Sequence, residues 1–381
     1  MSNHPPDDGR RAGHGGSTAG GDRGFVRSRH RRHPGRRCMI VPGDIDRLLL
    51  IAPTWIGDTI MASGFFRAAR TACPSAEITL AASPNLMPIV EGSPWFDRIE
   101  SFQPSGMLGP VSTGRRLGRT RPDATVLLPG SFRSALTAWW TRAPIRIGTR
   151  RDGRRSLLTH AIPDADRSRP VPAVEHYMRI AHAAFGEGHT DTSLALTITP
   201  HDEKTASSAI GLDASTPLLL LVPGANREDK RWPAERFAVV ADTLFREHGL
   251  VPIVAGAPSE SELTRSIVDA MRDAPGVDGP SVGLDLHGLK AVAGRAKLAV
   301  SNDTGPRHIA AAAGTPVVSL FGPTDHRWTI LPGCLERRLL AEPFLPEDTM
   351  ADQAPNLCHI GRITVEDVLE ASRALLAART D

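Results

Sequence analysis

The chain has 381 residues, 40% of them hydrophobic, and a formal charge of +3; this exceeds one ordinary domain and predicts two, each with enough apolar material for a core. Nine arginines against three aspartates put +6 on residues 1–38 and leave −3 for the rest, so the basic balance belongs to a tail and gives the folded body no nucleic-acid footprint. Cys38, Cys73, Cys334 and Cys358 lie far apart without metal-ligand spacing, which predicts free thiols in a reducing cytoplasm, and no apolar run approaches the ~20 residues of a membrane span.

Residues 1–43, rich in Gly, Arg, His and Pro, read as a disordered basic tail. Arg31-Arg32 lacks the hydrophobic stretch that a twin-arginine signal requires. The first domain, 44–205, opens on the apolar run 47–52, which has the character of a strand buried on both faces. The turn Pro53-Thr54-Trp55-Ile56-Gly57-Asp58 follows, then a helix over 59–72 stopped by Pro74. Strands are predicted at 78–82, 98–102 and 123–128, a short helix at 84–91, and a helix from Pro129-Gly130-Ser131-Phe132-Arg133 through Trp140. Between 150 and 217 only a basic turn, Arg150-Arg151-Asp152-Gly153-Arg154-Arg155, and a helix around 175–185 can be made out.

A second alternation fills 206–381, with strands at 218–222, 251–254, 297–300 and 317–321 and helices at 233–247, 260–271, 306–313 and 365–378. Strands alternating with helices imply right-handed crossovers and parallel sheets. The expected fold is therefore α/β, with two Rossmann-like domains facing a cleft at the carboxyl ends of their strands.

Three strand-end loops of the second domain point to one anionic ligand. Ser301-Asn302-Asp303-Thr304-Gly305-Pro306-Arg307-His308 reads as strand, tight turn and helix N-terminus; Asp303 or Thr304 could cap the helix, or its free N–H groups could meet an anion, with Gly305 admitting a close approach. In Pro223-Gly224-Ala225 through Lys230-Arg231-Trp232-Pro233, Lys230 offers a point charge for a diphosphate, unless the pair is a solvated helix start. Glu260 could accept from a ribose or simply cap its own helix. In the first domain, Trp55, Gly57 and Asp58 stand on the cleft rim, and Asp58 is either a general base or an N-cap. Arg133, Arg151 and Arg154 lie in loops of the same domain and suit an acidic acceptor.

These motifs in this order, with Leu128-Pro129-Gly130-Ser131-Phe132-Arg133 and the closing Ile363-Thr364-Val365-Glu366, resemble the lipopolysaccharide heptosyltransferases of glycosyltransferase family 9 over residues 47–376. The resemblance implies a GT-B fold and an ADP-heptose donor held mainly by the second domain. The acceptor, a lipid A-core sugar hydroxyl at the membrane surface, would lie on the first. It also implies inversion at the anomeric carbon, a monomer, and neither a bound metal nor a cofactor. On matching positions Asp58 becomes the base, Lys230 neutralises the departing diphosphate, and Asp303, Thr304, Gly305 and His308 form the donor phosphate loop. Pro306-Arg307 departs from the Leu/Met-containing loop, 343–354 matches poorly, and the tail has no counterpart. The competing readings are a related family 9 transferase using another nucleotide sugar or acceptor, a nucleotide-sugar epimerase, and a non-catalytic sugar-nucleotide binder.

Overall fold

A computed structural model describes residues 39–40, 43–164, 170–341 and 349–378; the expectations for 1–38, Cys38 included, lie outside them. The chain opens with β1 (Arg47–Ile51), α1 (Ile56–Met61), α2 (Ser63–Ala72), β2 (Glu77–Ala82), α3 (Met87–Val90), β3 (Arg98–Ser101) and α4 (Gly109–Leu117). It continues with β4 (Ala124–Leu127), α5 (Phe132–Trp140), β5 (Ile145–Thr149), β6 (His160–Ile162) and α6 (Ala173–Phe185). The second half holds α7 (Pro200–Ile210), β7 (Leu218–Val222), α8 (Ala234–His248), β8 (Val251–Val254), α9 (Ser261–Ala270), β9 (Val277–Asp278) and α10 (Leu286–Arg295). It ends with β10 (Ala296–Asn302), α11 (Gly305–Ala312), β11 (Val317–Phe321), β12 (Glu336–Leu340) and α12 (Val365–Ala378).

Two six-stranded sheets result, ordered β3-β2-β1-β4-β5-β6 and β12-β11-β10-β7-β8-β9, with parallel pairing throughout. The continuous apolar strands explain this. Leu48 and Leu50 enter a core with Phe65 and Phe66 of α2, while Leu49 and Ile51 enter another with Ala135 and Ala138 of α5. Both faces are covered, at about 2 kcal/mol for each fully buried leucine. The second sheet repeats the device: Leu218 and Leu220 face Leu289 and Val292 of α10, and Leu219 and Leu221 face Trp232, Phe237 of α8 and Leu369 of α12. Ile60 of α1 and Ile89 of α3 join the core beneath the second sheet, so apolar packing ties the halves together.

In each sheet the order reverses beside its first strand, between β1 and β4 and between β7 and β10. Loops at the carboxyl side of such a switch point splay apart and leave a crevice for ligand. Every loop singled out above follows one of these strands or the strand next to it.

Several boundaries differ from expectation. The helix predicted over 59–72 begins at Ile56 and breaks at Ala62, whose φ of −82° and ψ of 0° leave the helical region. Met39 and Ile40 are not part of a loose tail, since their N–H groups donate to Ala183 and Ala184 and Ile40 is buried. Position 205 falls inside α7, which packs on α10; Thr199 caps it, and buried Asp202 pairs with Lys290 at 2.8 Å. Cys73 and Cys334 are free thiols. No helix of the described residues is long and apolar enough to cross a membrane.

Candidate active site

At the first switch point β1 runs into Ala52-Pro53-Thr54-Trp55 and the start of α1. Trp55 occupies the N-cap with extended backbone and no side-chain capping bond, while Thr59 Oγ1 donates back to the Trp55 carbonyl at 2.9 Å. Asp58 therefore lies within the first turn, not at the cap, and its carboxylate is turned elsewhere. Its Oδ1 accepts a hydrogen bond of 3.1 Å from the Tyr177 hydroxyl on α6. Burial pushes the Asp58 carboxyl above the ordinary range and the Tyr177 bond pulls it partway back. A cleft of about 620 Å³ opens above it, lined by Trp55, Asp58, Ser131, Arg151, His176 and, from the second half, Trp328.

At the second switch point the loops after β7 and β10 are locked together. Asn302 Nδ2 donates to the Pro223 carbonyl at 2.7 Å and its Oδ1 accepts from the Trp232 N–H at 3.3 Å. Lys230 Nζ stands 3.0 Å from Asp303 Oδ2, each side chain 12% exposed. Thr324 and Thr329 hydroxyls also donate to the Asp303 carboxylate, both at 3.2 Å. Burial alone would raise that carboxyl; the charges of Lys230 and then Arg307 hold it below the usual range. Thr304 is the N-cap of α11 and makes no side-chain cap bond, so of the two readings of this turn, side-chain capping is not the one seen. Glu260 Oε2 accepts from the Ala257 N–H at 2.9 Å, and a Cβ on Gly224 would lie 2.3 Å from Glu260 Oε1, which places Glu260 against the β7 loop.

The two switch points touch. A Cβ on Gly57 would sit 2.5 Å from His308 Cδ2, and one on Gly305 would sit 3.1 Å from Ile56 Cβ. The first turns of α1 and α11 thus abut, and no side chain larger than hydrogen fits at Gly57 without moving the ring. His308 is 3% exposed, and burial followed by the Arg307 charge drives its pKa down to about 3. The imidazole is neutral at physiological pH. Its Nδ1 is enclosed and has no hydrogen-bond partner among the described residues.

Two of the three acceptor-side arginines are engaged by backbone carbonyls. Arg133 is exposed and donates to the carbonyls of Pro104 at 2.6 Å and Gly106. Arg154 is buried, and its guanidinium is consumed by the carbonyls of Thr149 at 2.7 Å, Pro129 at 2.6 Å and Ser131 at 3.2 Å; burial lowers its pKa to about 10. It braces the 129–131 wall from behind. Asp152 and Gly153, at φ 52° and 70°, turn the chain between the two arginines, so Arg151 faces the cleft and Arg154 the interior.

Sequence reasoning missed Tyr177, Trp328 and Arg307. Tyr177 sits on the buried face of a predicted helix, where a hydroxyl carries no periodic signal. Trp328 follows the carboxyl end of β11, a position that the strand prediction at 317–321 already marked as cleft-facing. Arg307 is fully buried, donating to Ser319 Oγ at 2.7 Å, the Thr329 carbonyl at 3.0 Å and Glu336; it fastens α11 to β11 and β12.

Two doubly wound parallel sheets, with a carboxylate at one switch point and a lysine beside an uncapped helix N-terminus at the other, are the architecture of a GT-B glycosyltransferase. The chain belongs to glycosyltransferase family 9 (heptosyltransferase), whose sequence profile matches residues 111–338. It is 28% identical to lipopolysaccharide heptosyltransferase 2 of Salmonella typhimurium over 297 residues, covering 74% of this chain and 84% of that one. The crystal structure of the family 9 glycosyl transferase from Veillonella parvula superposes with a TM-score of 0.77 at 25% identity, over 90% of this chain and 99% of that one. The structure of E. coli ADP-heptose lps heptosyltransferase II gives a TM-score of 0.76 at 24% identity, over 88% and 100%.

Proposed function

We propose that this glycosyltransferase moves heptose from ADP-heptose to a sugar hydroxyl of the lipopolysaccharide inner core, with inversion at the anomeric carbon. The observation that carries the reading is the contact of Gly57 with His308, which sets the Asp58 turn of the first sheet beside the Asp303–His308 turn of the second. Support also comes from the matching fold of E. coli ADP-heptose lps heptosyltransferase II.

In this reading the first sheet carries the acceptor half of the site and the second sheet, with α7 packed beneath it, the donor half. Asp58 takes the proton of the attacking hydroxyl as the new bond to the anomeric carbon forms. The bond from that carbon to the diphosphate breaks in line, and its electron pair leaves with ADP. Lys230, Thr304, Gly305 and the N-terminus of α11 stabilise the charge that develops on the diphosphate, with Asp303 holding Lys230 in place. Glu260 lies where a ribose would reach past Gly224. Trp55 and Arg151, both open to the cleft, face the acceptor sugar and its acidic neighbours. The lipid-linked acceptor would be met at the inner membrane surface by a monomer.

Incubation with ADP-heptose and a Kdo-bearing or heptose-bearing lipid A acceptor should add the mass of one heptose. A full panel of such acceptors without that increment would overturn the reading.

A further inference from the structure

We infer that Tyr177 is the positioning residue for the Asp58 base: its hydroxyl fixes one carboxylate oxygen and leaves the other to take the acceptor proton. This rests on the assignment of Asp58 as base. Three observations carry it. Asp58 has a first-turn position on α1 yet makes no capping bond, and its Oδ1 is instead held at 3.1 Å by a hydroxyl 119 residues further on. Tyr177 is 6% exposed, and its ring is packed in the apolar core between α2 and α6, so the phenol is rigid and cannot follow a wandering carboxylate. Both residues line the same cleft.

The direction of the bond is defined. Burial, then the neighbouring Asp58, hold the Tyr177 hydroxyl well above its ordinary pKa, so it keeps its proton and donates. A donor to the carboxylate favours the ionised form, against the burial that favours the neutral acid. Without Tyr177 the base would be both looser and more often protonated. The other titratable or charged groups facing Asp58 are His176 of α6, Arg151 and Asp164 across the cleft, and His308 of α11, which is neutral. On the remaining packed helices Arg67 and Arg70 of α2 are turned to Asp191 and Asp97, and Arg307 of α11 to Glu336.

The chain contains one tyrosine, which gives a direct readout. Protein labelled with ¹³Cζ-tyrosine should show a single phenol resonance that steps with pH as Asp58 ionises, and the step should vanish in Asp58→Asn. The acid limb of the kcat/KM profile should fall at the same pH. In Tyr177→Phe, which keeps the ring, that limb should move to higher pH by about one unit, with kcat down about tenfold and ADP affinity unchanged. An inactive Asp58→Asn beside a pH-silent resonance, or beside an unmoved acid limb in Tyr177→Phe, sinks the positioning role alone. A fully active Asp58→Asn sinks the base assignment and this inference with it.

Discussion

The His308 ring lies against Gly57 so closely that a methyl group on Gly57 would stand 2.5 Å from Cδ2. The two residues lie on α1 and α11, the helices that follow β1 and β10 of different sheets, and their contact sets the distance between the Asp58 turn and the Asp303–His308 turn. Gly57→Ala should therefore destabilise the protein by about 1–3 kcal/mol and depress kcat by displacing Asp58. The denaturation midpoint reads the first effect. In a His308→Ala background the same substitution should cost almost nothing, and an undiminished cost there would show that the strain arises elsewhere.

Lys230 and Asp303 form a pair that is nearly out of water, each 12% exposed. Removing one partner leaves the other charge enclosed, so Lys230→Ala should lose about 3 kcal/mol. The double variant Lys230→Ala, Asp303→Ala should lose less than the sum of the two single variants, as a thermodynamic cycle by urea unfolding would reveal. ADP binding by calorimetry should weaken about tenfold or more in Lys230→Ala; unchanged affinity would remove Lys230 from the donor site.

His308 predicts a pH dependence of stability. Its folded pKa of about 3 lies below the unfolded value of 6.5. Between these limits the unfolded chain binds the proton and the folded chain does not, so stability is lost as pH falls below about 6.5, on the order of 1 kcal/mol per pH unit. The lowered Asp303 carboxyl acts in the same direction, but only below its own unfolded value of 3.8. The difference in unfolding free energy between wild type and His308→Asn should therefore shrink from pH 7 to pH 4; a constant difference would contradict the buried neutral imidazole.

Arg151 and Arg154 are three residues apart and should behave oppositely. Arg154→Ala strips the donors from three carbonyls behind the 129–131 wall and should cost about 3 kcal/mol, read as a drop in melting temperature. Arg151, 40% exposed and 3.8 Å from Asp164, should tolerate Ala within about 0.5 kcal/mol while raising the acceptor KM and leaving ADP affinity unchanged. A stable Arg154→Ala, or an Arg151→Ala with normal acceptor kinetics, would reverse the assignments.

The amino-acid sequence determined the strands and the loops that follow them. β1, β2, β4, β7, β8, β10 and β11 are short apolar runs that only a sheet covered on both faces can accommodate, and in parallel topology the residues after each strand must gather at one edge. That logic placed Asp58, Lys230 and Asp303 near a common crevice. It could not read β12, whose Glu336-Arg337-Arg338 start is that of an edge strand, nor the polar α7, nor the two-residue β9. Tertiary structure alone decided which side chains meet. The sequence left Asp58 as a cap or a base; only the fold takes it off the cap position and brings Tyr177 to its carboxylate, and Arg151 and Arg154 were equivalent until two left-handed residues turned one outward and the other in. Local pattern reports which face of an element is buried; the partner that satisfies a buried polar atom comes from a distant element and depends on how the sheets and helices pack.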